Sequence, residues 1–191
     1  MAQKRSASRR YVKSLVFWGC EGKSEENYAV FLNRLFDREL IPFRLNAFNL
    51  GEAGSVAAKI HAAKKKLGNE KSKGSRFKKQ FLVMDVDLIK DNPTKRSEAE
   101  KEALKHKITI LWQRPCFEGF LIKHFEDEKD RNPPNCREAE IILKSLWPDY
   151  DKPESVQRLT KKLQLNPHVK SLLTVDPDFK KVFEEFGLRL K

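Results

Sequence analysis

The chain has 191 residues, 39 of them Lys or Arg against 27 Asp or Glu, for a formal net charge of +12. At roughly 150 residues per domain this length predicts one domain with extensions, or at most two small ones, and the longest apolar runs (Leu15 to Trp18, Ile108 to Trp112) fall far short of a membrane-spanning helix. The basic N-terminus lacks the apolar stretch of a secretory signal, three widely spaced cysteines suit a reducing cytosol, and thirteen Phe supply a real core, so a cytoplasmic globular protein with a preference for polyanions is expected.

Residues 1–10 carry Lys4, Arg5, Arg9 and Arg10 with no acid, a basic tail expected to be disordered. Val12 to Trp18 is β-branched and aromatic and is bounded by Gly19, which predicts a buried strand. Ser24 offers an N-cap to the next helix, with Glu25 and Glu26 placed to complement its dipole. Tyr28, Phe31, Leu32, Leu35 and Phe36 follow at helical spacing. A second strand is expected over Phe43 to Leu50, then an Ala-rich helix over 55–67 ended by Gly68, then a mobile basic loop over 69–79. The span 59–80 holds nine basic residues against the single acid Glu70. Together with the tail it accounts for the whole net charge, so the rest of the chain is a neutral body.

Gln80 to Asp85 is the clearest strand, followed by a loop around Pro93, a polar helix over 97–106 and a fourth strand from Lys107 to Trp112. Pro115 suits the start of a helix whose Phe117, Phe120, Leu121 and His124 share a face, which makes His124 a packing residue. Beyond residue 128 the pattern becomes helical segments bounded by Pro148, Pro153, Pro167 and Pro177. The expected organisation is a tail over 1–10, an α/β domain over 11–127 and a helical C-terminal extension over 128–191. Strands alternating with helices predict a mostly parallel sheet flanked by helices, and in such sheets chemistry collects at the carboxyl ends of the strands.

Those ends carry acids. The first strand runs into Glu21, the third into Asp85 and Asp87, and the fourth into Glu118. In extended backbone Asp85 and Asp87 point the same way and can reach one ion. Clustered carboxylates repel unless a cation neutralises them, and oxygen-only ligation with open positions suits Mg²⁺. Gly22-Lys23-Ser24 is no P-loop, since Phe17 stands where the first glycine of that motif belongs. Lys23 is a solvated lysine or a phosphate contact. Cys20, Cys116 and Cys136 form no C-x-x-C pair and read as free thiols rather than a zinc site.

Cys20-Glu21-Gly22-Lys23-Ser24-Glu25 with Tyr28, then Asp85-Val86-Asp87, then Arg114-Pro115-Cys116-Phe117-Glu118 with His124-Phe125, resembles the RloB-like family. The family pattern is C-E-G-x-S/T-E-x-x-Y, a central D-x-D, and S/N-N-P-x-F-E-x-W-x-x-x-H-F. Arg114 departs from it where Asn is usual, and Gly119-Phe120 departs near the expected Trp. The resemblance implies a Toprim-like domain and Mg²⁺- or Mn²⁺-dependent phosphodiester chemistry, as in topoisomerases, primases and old-lysogenisation nucleases. It also implies a phage-defence or restriction–modification setting with an ATPase partner. By position, Glu21, Asp85 and Asp87 would bind metal, with Glu21 also a general acid or base, and Glu118 would complete the pocket. Glu25 matches too, though helix stabilisation suffices to explain it.

The leading expectation is therefore a metal-dependent nuclease with Glu21, Lys23, Asp85, Asp87 and Glu118 at its site. Lys64, Lys65, Lys66, Lys71, Lys73, Arg76, Lys78, Lys79 and Arg114 would hold RNA or DNA, with the basic loop reaching the rim of the sheet that carries the acids. Three alternatives stand beside it: a non-catalytic nucleic-acid-binding or adaptor subunit, a docking loop for an acidic protein, and a merely solvated helix face.

Overall fold

The computed structural model describes residues 12–51, 54–90, 92–163 and 176–186. The basic tail over residues 1–10 and the Pro167 boundary lie outside them. In chain order the elements are β1 (Ser14–Cys20), α1 (Lys23–Arg38), β2 (Phe43–Asn49), α2 (Val56–Ser72), β3 (Phe77–Asp85), α3 (Pro93–Lys105), β4 (Thr109–Gln113), α4 (Phe117–Ile122), α5 (Cys136–Leu146), α6 (Val156–Lys162) and α7 (Pro177–Glu185). Short 3₁₀ turns follow β3 and α4, at Val86–Ile89 and Glu126–Glu128. The four strands are all parallel, in the order β2-β1-β3-β4.

Parallel strands buried on both faces need apolar residues on both sides of the pleat. Val16, Trp18 and Cys20 of β1, Phe81 and Val83 of β3 and Leu111 of β4 face one layer with α1, α4, α5, α6 and α7. Phe17, Leu82, Met84, Ile110 and Trp112 face the other, against α2 and α3. The chain leaves β1 in one direction to form β2, then crosses back to form β3 on the opposite side of β1. That reversal opens a crevice between the carboxyl ends of β1 and β3, the point where ligands bind in open α/β sheets.

The C-terminal helices share the core of the sheet. Leu143, Trp147, Leu159, Phe179 and Phe183 belong to the same buried cluster as Trp18, Phe36 and Phe120. A buried pair, Lys123 Nζ to Asp176 Oδ2 at 3.6 Å, ties α4 to the start of α7. Among the described residues no helix is long and apolar enough to cross a membrane.

Several boundaries differ from the sequence expectation. Gly22, not Ser24, is the N-cap of α1, in extended backbone with no side-chain cap, and Ser24 is buried inside the first turn. The second helix does not stop at Gly68 but continues to Ser72. Ser55 caps it by accepting from the Ala58 amide, and the buried stripe Ile60, Ala63 and Leu67 outweighs the ~1 kcal/mol propensity cost of a mid-helix glycine. The third strand begins at Phe77 because its ring packs edge-on against Phe17 and Phe48. The basic loop thus shrinks to residues 73–76. The third helix starts at Pro93, not near 97, with Asn92 as its cap.

Candidate active site

Four carboxylates meet at the β1/β3 crevice. Glu21 follows β1, Glu25 sits in the first turn of α1, Asp85 ends β3 and Glu118 lies in the first turn of α4. They line one cleft of about 450 Å³, with Gly22, Lys23, Ser24, Phe117, Lys152 and Pro153 completing its wall. The four come from three separate segments, the β1–α1 junction, the end of β3 and the start of α4, so only the folded sheet brings them together.

Their electrostatics are those of acids short of counter-charge. Burial pushes the Asp85 carboxyl up to about 9, and the neighbouring Glu25, Glu21, Asp87 and Glu118 add to the shift. Asp85 Oδ1 is buried with no hydrogen-bond partner. Burial likewise raises Glu25 to about 7, helped by Glu21 and Glu118. Glu21 is raised by burial but held back by Lys59, whose ammonium lies 3.3 Å from Glu21 Oε2. Lys59 is 2% exposed and also donates to the Gly51 carbonyl at 2.7 Å. The other Glu21 oxygen, Oε1, accepts from the Asp85 amide at 3.5 Å. A fully buried ammonium is tolerated only when paired, so Lys59 and Glu21 hold each other in place.

Glu118 is held by three groups. The Tyr150 hydroxyl donates to its Oε1 at 2.8 Å, Lys152 forms an ion pair with the same oxygen, and the Cys116 thiol donates to Oε2 at 3.2 Å. Tyr150 and Lys152 come from the turn after α5, which Asn27 of α1 anchors by donating to the Glu154 carbonyl at 2.8 Å. Tyr28 and His124 fix the angle between the acid-bearing helices. The His124 Nδ1–H donates to the Phe120 carbonyl at 3.1 Å, which leaves Nε2 to accept the Tyr28 hydroxyl at 2.8 Å. These two motif residues are thus a buried clasp between α1 and α4, and His124 packs as its helical spacing indicated.

Two expectations need correction. Asp85 and Asp87 do not share a direction, because the strand ends at Asp85 and Asp87 lies in the 3₁₀ turn. Asp87 is exposed, accepts from the Cys136 thiol at 3.3 Å and lines a neighbouring cleft, acting on Asp85 and Glu21 only through its charge. The place beside Asp85 expected for Asp87 is taken by Glu25, whose burial helix stabilisation alone does not require. Nor does the basic loop reach the acidic rim. It precedes β3 while Asp85 ends it, so the two lie at opposite edges of the sheet, ~26 Å apart along a strand rising ~3.3 Å per residue.

The expected nucleic-acid-binding residues divide accordingly. Lys64, Lys65, Lys71 and Arg76 are exposed. Lys66 and Lys73 pair with Glu70 at 3.3 and 3.2 Å, and Lys79 pairs with Glu185. Lys71, Arg76, Lys78 and Lys79 line a cavity at the amino edge with Lys107. Lys23 is the exposed first residue of α1 and pairs with Glu26 at 2.8 Å. Arg114 lies in the cleft that holds Asp87. Sequence reasoning gave no role to Lys59, Tyr150 or Lys152. A lysine inside an apolar helical stripe was the available signal for Lys59, whereas nothing local marks the other two.

The donor chemistry of the acidic cleft fits a divalent cation. Its ligands are oxygens, they raise one another's pKa, and Asp85 Oδ1 lacks a partner. Among the described residues no three His, Cys, Asp or Glu side chains are placed so that they could hold a metal ion together; Glu21 is turned to Lys59 and Glu118 to Tyr150 and Lys152. No curated protein and no solved structure matches the chain. The family model described as RloB-like protein matches residues 16–172, a span that runs from within β1 through α6 and holds every acid of the cleft, so the chain belongs to the RloB-like family.

Proposed function

We propose that the chain is a metal-dependent nuclease, hydrolysing phosphodiester bonds through a Toprim-like site in a phage-defence setting. The observation that supports this reading best is the unpartnered Asp85 oxygen among four clustered carboxylates at the switch point of the sheet. Asp85 and Glu25, with water in the remaining positions, would hold Mg²⁺ or Mn²⁺, which when bound supplies charge neutralisation and a more acidic water, while Glu118 stays held by Tyr150 and Lys152. Glu21, its carboxyl raised by burial, takes up the proton at Oε1, the oxygen held only by the long contact to the Asp85 amide. Lys59 keeps that carboxyl oriented. Lys152 and Lys23 at the rim orient the phosphate and offset its charge.

The test incubates purified protein with labelled RNA and DNA in Mg²⁺, Mn²⁺ or EDTA, beside Asp85→Asn and Glu21→Gln. Cleavage should require metal and be lost in both variants. Cleavage that persists in EDTA, or in both variants, removes the reading.

A second reading is favoured by one observation: Lys59 already neutralises Glu21 without any ion. In it the protein is a non-catalytic nucleic-acid-binding subunit and an ATPase partner does the work. Binding without cleavage under every metal supports that version.

A further inference from the structure

A second cleft, of about 910 Å³, lies against the outer side of the β3 and β4 ends. Its lining carries the cations Lys90, Arg114 and Arg137 against the single acid Asp87, and its floor includes Pro133 and Pro134. The cations come from three separate places: the end of the 3₁₀ turn after β3, the residue after β4, and the first turn of α5. They therefore converge only in the folded chain. The cleft adjoins the acidic one across a thin partition, because Asp85 lines one side while Val86 and Asp87 line the other. In the same way Pro115 faces the basic cleft, while Phe117 and Glu118 face the acidic one.

This pairing answers a problem the acidic site creates. Four carboxylates repel a polyanionic strand, so cations beside them must hold it in reach. The basic segment at 71–79 stands at the far edge of the sheet and cannot do so for the same few nucleotides. Two of its lysines, Lys73 and Lys79, are moreover already paired, with Glu70 and Glu185. Lys90 and Arg137 have no ion-pair partner among the described residues, and both are exposed. Their charge is therefore available to phosphate. Exposed Pro134 and partly exposed Pro115 give sugar and base faces an apolar surface to lie on.

We infer that this cleft is the binding groove for an unpaired nucleic-acid strand, with Lys90, Arg114 and Arg137 on phosphates that flank the scissile bond in the adjoining acidic cleft. The inference rests on the nuclease reading for the position of that bond, but the groove binds the strand whether or not the acids cleave it.

Binding is read by fluorescence anisotropy of short labelled single-stranded RNA, single-stranded DNA and duplex, in EDTA and over a range of KCl, with cleavage assayed separately in Mg²⁺. Lys90→Gln and Arg137→Gln should each weaken single-strand binding roughly tenfold, as expected for a charge-assisted contact. Each should also flatten the log–log salt slope by about 0.7, the value for one phosphate contact on a single strand. Lys71→Gln with Arg76→Gln, at the far edge, serves as the competing surface. If that pair loses affinity while the cleft variants bind as wild type, or if no variant changes affinity, the groove assignment is overturned. Tighter binding of duplex than of either single strand overturns the assignment to an unpaired strand. Photo-crosslinking of a halogenated oligonucleotide should mark residues 132–137, and crosslinks confined to 71–79 count against the groove. Cleavage lost in Asp85→Asn with unaltered binding in the cleft variants sinks the groove and spares the nuclease. Weakened binding in those variants with no cleavage under any metal does the reverse.

Discussion

Replacing Asp85 by Asn should make the metal-free protein more stable, and increasingly so as pH rises. Burial and four neighbouring acids put the folded-state pKa at about 9, against 3.8 for the ordinary side chain. Below pH 3.8 both states carry the proton, and the group has no effect on stability. Between the two values the unfolded chain ionises while the folded one stays protonated, so stability is lost as pH rises and the loss levels off near pH 9. The slope for one group is about 1.4 kcal/mol per pH unit, so the loss from pH 5 to pH 8 is about 4 kcal/mol. Water entry and relaxation of the cleft make that figure an upper bound. Asn keeps the shape and has no charge to lose. Thermal melts in EDTA should therefore show wild type falling by up to roughly 10 °C more than the variant over that range, the variant keeping the shallower fall below pH 7 that Glu25, raised to about 7, contributes. Adding Mg²⁺ at pH 8 should recover the wild type and leave the variant unmoved. A wild-type Tm independent of pH between 5 and 8, together with an Asn variant no more stable than wild type, refutes the claim that Asp85 lacks a counter-charge in this cleft.

Three further outcomes follow from the packing around the site. Lys59→Met removes the one buried cation beside Glu21 and should destabilise by about 3–5 kcal/mol in urea melts at neutral pH, with much of that recovered by adding Glu21→Gln. Tyr28→Phe strands the acceptor of the buried His124 ring and should cost about 1–3 kcal/mol in the same melts, while His124→Phe in that background should cost less than it does alone. Gly119→Ala would place a Cβ 2.2 Å from the Arg114 carbonyl and 2.4 Å from Pro115 Cδ, so the expected result is a loss of more than about 2 kcal/mol or of soluble protein, read by circular dichroism. An alanine variant that melts like wild type would mean the turn after β4 yields easily.

The Gly119 contact shows why a tight packing constraint carries no local signal. The residue is glycine because α4 starts directly beneath the Arg114–Pro115 turn, a closeness that hydrophobic spacing cannot report. By contrast, the parallel sheet was legible. Phe17 alternating with Val16 and Trp18, and Leu82 with Phe81 and Val83, made strands that must be covered on both faces. Glu21, Asp85 and Glu118 were legible as acids at strand ends because chain order alone places them there once the strands are parallel.

The sequence by itself determined the alternation of strands and helices, the carboxyl-end position of three acids and the two stretches that carry the excess charge. Each follows from local spacing or composition. Tertiary structure alone decided that Glu25 rather than Asp87 stands beside Asp85, because one 3₁₀ turn rotates Asp87 out of the cleft. It also decided that Lys59 is buried against Glu21 and that Tyr150 and Lys152 reach Glu118 from the turn after α5. Finally, it set most of the basic segment's charge at the edge of the sheet away from the acids. A strand and a helix each run one way between two edges, so residues close in sequence to Asp85 can lie a whole strand length from it, whereas Lys59, one helix start away, lies against Glu21.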